Sequence, residues 1–123
     1  MDITRTIPQT ERPDWIAQLF DGHWVGDVEF PFGRAVKNIY AGNWLYLIYR
    51  RRVHGRLKIS RVEHNECVVP VGSQSESVYA RTVVFVNCPG ELAPGVLLTV
   101  GHRGHRYDNM REWQNIISPL VQS

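Results

Sequence analysis

The stretch Asn43-Trp44-Leu45-Tyr46-Leu47-Ile48-Tyr49-Arg50-Arg51-Arg52-Val53-His54-Gly55-Arg56-Leu57-Lys58-Ile59 decides how this chain is read. Residues 43–50 are apolar at both alternating positions, the pattern of a central strand or barrel stave covered on both faces. Arg50 to Gly55 reads as a basic turn. From Arg56 the alternation resumes, with Leu57 and Ile59 on one side and Arg56, Lys58 and Ser60 on the other. At Arg61-Val62 it inverts, the mark of a bulge or a strand end. Strand, basic turn and returning strand form a hairpin.

The charge distribution around this hairpin is uneven. Between Gly33 and Val62 lie eight of the fourteen Lys and Arg residues and no acid, whereas the residues before Gly33 hold six acids against two bases. The net charge of +2 conceals this asymmetry. A cationic hairpin on a compact domain points to an anionic partner, nucleic acid first.

On either side the chain alternates between β and helical patterning. Val78–Asn87 is the clearest long strand, and Val96–Val100 is another. Cys67–Val71 is a short candidate, and weaker ones lie at Ile3–Ile7, Trp24–Phe30 and Ala35–Ile39. Residues 72–77 and 88–95 read as loops. A helix near 12–20, capped by Thr10 or a neighbour, would bury Trp15, Ile16, Leu19 and Phe20 and stop at Gly22. A second, near 108–117 and capped by Asp108, would place Met110, Trp113, Ile116 and Ile117 on one face. Leu45, Leu47, Leu57, Ile59, Val84, Val86 and Leu98 are the expected core. The fold class is α+β: a small, mostly antiparallel curved sheet or β-barrel with a helix near each end, in one domain of 123 residues.

Ile39-Tyr40-Ala41-Gly42-Asn43-Trp44-Leu45-Tyr46-Leu47 resembles the turn-into-strand element of PUA-like domains, the group that contains the ASCH and EVE families. Asn43 stands where their turn glycine is usually followed by Asp. Gly55-Arg56-Leu57-Lys58-Ile59 is similar to their next strand, and Gly101-His102-Arg103-Gly104-His105-Arg106-Tyr107 to an element near their end. The resemblance covers about half the chain. It implies a pseudo-barrel of roughly six strands with flanking helices, and roles associated with RNA, modified bases or translation.

The candidate site residues follow from the basic and aromatic clusters. Arg50, Arg51, Arg52, His54, Arg56 and Lys58, with Arg103 and Arg106, are candidates for phosphate contact, because guanidinium forks match phosphate geometry. Trp24, Trp44, Tyr46, His102 and His105 are candidates for the wall of an aromatic cleft that holds a base. The opposing readings are a solvated turn that protects a strand edge, a structural turn before the last helix, and ordinary core aromatics.

Catalytic signatures are thin. Asp27 and Glu29 would share a strand face, which allows acid–base work but fits an exposed acidic strand as well. Lys58, His102 or His105 would carry the acid–base role in a small ASCH-like hydrolase or ribonuclease, the second functional reading. A third is an adaptor whose basic face meets an acidic protein. No cofactor or metal is expected, since Cys67 and Cys88 lie far apart and outside any CxxC. Reduced thiols, no signal-like N-terminus and no apolar run of membrane-spanning length make a cytoplasmic protein the expectation. The expected partner is RNA rather than duplex DNA.

Overall fold

The computed structural model describes residues 1–68, 78–95, 97–99, 101, 105–108 and 113. Six strands form one mixed sheet: β1 (Ile3–Ile7), β2 (Gly26–Phe32), β3 (Trp44–Tyr49), β4 (Arg52–Val68), β5 (Val78–Leu92) and β6 (His105–Tyr107). Their spatial order is β2-β5-β4-β3-β1-β6. β1 runs parallel to β3, and every other neighbouring pair is antiparallel. One short helix, α1 (Pro13–Gln18), lies between β1 and β2.

The hairpin is tighter and its strands are longer than the sequence pattern suggests. Tyr49 pairs with Arg52, so the turn is Arg50-Arg51 alone, with φ of 51° and 63°. Two positive φ values in a two-residue loop define a type I′ turn, whose twist matches that of the flanking strands. Arg52, Val53, His54 and Gly55 therefore belong to β4, with His54 as the extra residue of a bulge between the Ile48–Val53 and Leu47–Gly55 pairs. The inverted alternation at Arg61-Val62 is a second bulge: Ile59 pairs with Val86, Arg61 with Phe85 and Val62 with Val84. The extra residue turns Val62 and His64 back to the face of Leu57 and Ile59.

That face holds the main core. Ile3, Ile7, Leu45, Leu47, Leu57, Ile59, Phe30, Phe32, Val84 and Val86 close over Ile16, Leu19 and Phe20. The apolar face of the first helix thus packs as expected, although α1 is shorter than 12–20. Its N-cap is Arg12, without a side-chain cap bond, rather than Thr10. β3 is buried on both faces. On its outer side Tyr46 and Ile48 meet Val53, Leu97 and Trp113, as the unbroken apolar run of β3 requires.

Several expectations are corrected. Residues 35–39 form no strand: they lie in the β2–β3 connection, where Val36 and Ile39 are buried as loop anchors. Cys67 belongs to β4, which ends at Val68, rather than opening a separate strand, and β5 runs through Pro89 and Gly90 to Leu92. Leu98 is 80% exposed and makes only an isolated bridge to Arg52, while its neighbour Leu97 is buried. That offset of one residue exchanges the faces. Cys88 is a buried free thiol, its pKa pushed up to about 11 by burial and by nearby Asp27. Loop 72–77, most of the 108–117 helix, His102 and Arg103 lie outside the described residues, although Trp113 is helical and buried.

Among the described residues the sheet is not closed by strand pairing, since β2 and β6 are its two edges. Side chains nevertheless bring those edges together. Phe32 meets His105 edge-to-face at 5.9 Å, and the Tyr107 hydroxyl donates to the Lys37 carbonyl at 2.8 Å. Arg5 on β1 donates to the Pro31 carbonyl and lies over the Phe30 and Phe32 rings. Burial lowers the Arg5 pKa to about 10. No helix among the described residues is long and apolar enough to cross a membrane.

Candidate nucleic-acid interface

Strand register assigns the basic residues to places. Arg56 pairs with Tyr46, Tyr46 with Thr4, and Thr4 with Arg106. Side chains opposite one another share a face, so Tyr46, Arg56 and Arg106 stand in one row across the outer face. Lys58, opposite Trp44, and Arg61, opposite Phe85, continue that face along β4. The turn Arg50-Arg51 lies at one end of it, and Arg52, opposite Tyr49, is on the core-face side there. At the rise of an extended chain, Arg52 and Lys58 are about 20 Å apart along β4.

Aromatic rings and cations alternate on this surface. The Arg56 guanidinium lies 3.9 Å from the Trp44 ring centre and 4.8 Å from that of Trp113. Lys58 Nζ is 5.1 Å from the Trp44 ring, and Arg61 is 4.0 Å from that of Phe85. Tyr46 meets Trp113 edge-on at 5.6 Å. Such contacts keep cations in place while leaving part of their charge open to solvent.

Arg56 differs from the others. Its Nε donates to Glu91 Oε2 at 2.9 Å and its Nη1 to the Tyr46 hydroxyl at 3.3 Å. Burial opposes its charge, but the bonds to Tyr46 and Glu91 outweigh that and its pKa is raised. Tyr46 is raised as well, by its own burial. With its Nε and Nη1 engaged and two indole rings against it, Arg56 holds the aromatic cluster together, and the cations beside it are more exposed. Arg50, Arg51, Arg52 and Lys58 are exposed and in no ion pair among the described residues. Arg61 pairs with Glu63 at 3.4 Å at an exposed position, where such a bond is worth little.

The remaining candidates lie elsewhere. His54, the bulged residue, packs against Phe20 at 5.6 Å. Its pKa is lowered by burial and by Arg52, which favours the neutral ring. His105 pairs with Arg5 on the core face and is wedged between Phe32 and Tyr107. Trp24, 45% exposed, precedes β2 and stacks edge-on with His23. Of the aromatic set, Trp44 and Tyr46 alone come together among the described residues, and Trp113 completes their cluster. Asp27 accepts from Ser60 Oγ at 3.0 Å and shares the outer face with Glu29. No group of His, Cys, Asp and Glu among the described residues is arranged to hold a metal ion.

Sequence reasoning missed a cavity on the other side of β4. It measures about 440 Å³, between the β2–β3 connection and the Val62–His64 segment. Its wall residues Lys37, Tyr40 and His64 are scattered in sequence, and only the bulge in β4 brings His64 to that face. No family model, curated protein or solved structure matches this chain.

Proposed function

We propose that this chain is a nucleic-acid-binding domain of the PUA-like barrel type, with single-stranded RNA favoured over duplex DNA. The observation that carries the proposal is the turn at the tip of the hairpin. Arg50 and Arg51 occupy left-handed backbone at φ 51° and 63°, where Asn-Gly is the preferred pair. Left-handed backbone costs an ordinary residue roughly 1–2 kcal/mol. Strain retained at an exposed site is a reason to look for a role there, and three consecutive exposed guanidiniums supply one.

In this reading Arg50, Arg51, Arg52 and Lys58 hold phosphates, with Arg61 and Arg106 further out on the face of Lys58, while Arg52, opposite Tyr49, reaches a phosphate from the other face at the tip. The half-buried Trp44 ring lies 5.1 Å from Lys58 Nζ, so a base can stack beside a phosphate held there. The barrel reading is supported by the curl of the sheet, whose two edges meet through Arg5, Phe32, His105 and Tyr107.

Titration of the chain with fluorescent single-stranded RNA across a range of salt concentrations tests the proposal. Replacing Arg50, Arg51 and Arg52 together by Ala should weaken binding and flatten its salt dependence by roughly 0.7 log units per lost phosphate contact. Unchanged affinity at low salt in a variant shown to be folded would remove the proposal. Competition with duplex DNA and with an acidic protein distinguishes the partner, since a steep salt slope alone does not.

A further inference from the structure

The connection from Gly33 to Asn43 has no regular secondary structure. Its position is well determined. The Val36 N–H donates to Thr82 Oγ1 at 3.0 Å, the Lys37 N–H to the Tyr107 hydroxyl at 3.0 Å, and the Gly42 N–H to the Ile59 carbonyl at 2.8 Å. The Tyr40 N–H donates to Asn43 Oδ1 at 2.8 Å. Asn38 takes φ 60°, a conformation Asn tolerates. The 440 Å³ cavity under this loop is therefore preformed, and its volume falls within the range of small-molecule sites.

The lining has a definite chemistry. Val36, Ile39 and Val62 give an apolar floor, with Lys37, Tyr40 and His64 around it and no carboxylate among the described lining residues. Tyr40 is 66% exposed, so its ring is open to stacking. Thr82, which is fully buried, ties His64 to the loop: its Oγ1 accepts from the Val36 N–H and lies 3.2 Å from His64 Nδ1.

A flat ring suits the apolar floor and Tyr40, an anion suits Lys37, and a hydrogen-bonding group suits His64. We infer that this cavity binds a nucleoside monophosphate. The site lies on the core-face side of β4, opposite the face of Lys58 and Arg61, and it requires no binding by the basic turn.

Calorimetric titration of the whole chain with AMP, CMP, GMP and UMP tests the inference, with inorganic phosphate and adenosine as controls. Saturable binding of at least one nucleotide is expected, at least about tenfold tighter than either control. Lys37→Ala and Tyr40→Ala should each weaken it about tenfold without lowering the melting temperature, because both side chains are exposed. The triple Arg50, Arg51 and Arg52 to Ala variant should bind the nucleotide as the parent does, whatever its effect on RNA. Absence of saturable binding for all four nucleotides overturns the inference. So does equal affinity for inorganic phosphate, or loss in the arginine variant but not in folded Lys37→Ala or, should that variant misfold, Lys37→Gln.

Discussion

Replacing Arg50-Arg51 by Asn-Gly should make the protein more stable and a weaker binder. Both residues sit at positive φ, 51° and 63°, at a cost of roughly 1–2 kcal/mol each for a residue with a full side chain. Gly removes that cost at position 51, and Asn removes part of it at position 50. Two losses offset the gain. Gly has more freedom to lose on folding, about 0.5–1 kcal/mol. The Arg50 guanidinium also leaves the Tyr49 ring, 4.9 Å away, an exposed contact worth about 0.5–1 kcal/mol. The net expectation is a gain of about 1 kcal/mol, or roughly 3–5 °C in melting temperature for a chain of this size. If both side chains contact phosphate, the salt dependence of single-stranded RNA binding should flatten by roughly 1.4 log units. Thermal unfolding followed by circular dichroism, and RNA titration at several salt concentrations, read the two effects separately. A melting temperature that falls would refute the type I′ assignment. An unchanged salt slope in the stabilised variant would refute the role given to the turn.

Other perturbations probe the remaining parts. Leu47→Ala should cost about 2–5 kcal/mol in urea unfolding, the transfer and cavity terms of a fully buried side chain; a loss under about 1 kcal/mol would mean the register of β3 is wrong. Arg56→Ala should destabilise by about 1–2 kcal/mol through lost stacking and the lost Glu91 bond, while the RNA salt slope stays near that of the parent; a marked flattening would show that Arg56 contacts phosphate directly. His54 is held below its ordinary pKa of 6.5 by burial and Arg52, so the unfolded chain takes up its proton first. Its contribution to stability is present above pH 6.5 and is lost as pH falls from there toward the folded-state pKa. The melting temperature should drop across that window in the parent and less so in His54→Gln; identical profiles would exclude His54 as the cause.

Local pattern determined much of this protein. The apolar run 44–49 required a strand covered on both faces, and the alternation at Leu57 and Ile59 gave the face of β4 that enters the core. The break at Arg61-Val62 marked a real bulge, because an extra residue in a strand has to invert the period of two. The helical face of Ile16, Leu19 and Phe20 was legible for the same reason of periodicity. The stretch of like charge around the turn was visible too, since charge needs no folding to be counted. What pattern could not give was pairing. Parallel contact between β1 and β3 joins residues some forty positions apart, and nothing local distinguishes it from antiparallel contact. Tertiary structure alone placed Arg106 in one cross-strand row with Tyr46 and Arg56, with Thr4 between Arg106 and Tyr46, and turned His54 and His105 toward the core. It exposed Leu98 while burying Leu97, and engaged Arg56 with Glu91 and two indole rings. It also assembled the cavity of Lys37, Tyr40 and His64, because a pocket wall is built from residues that only the register of distant strands brings together.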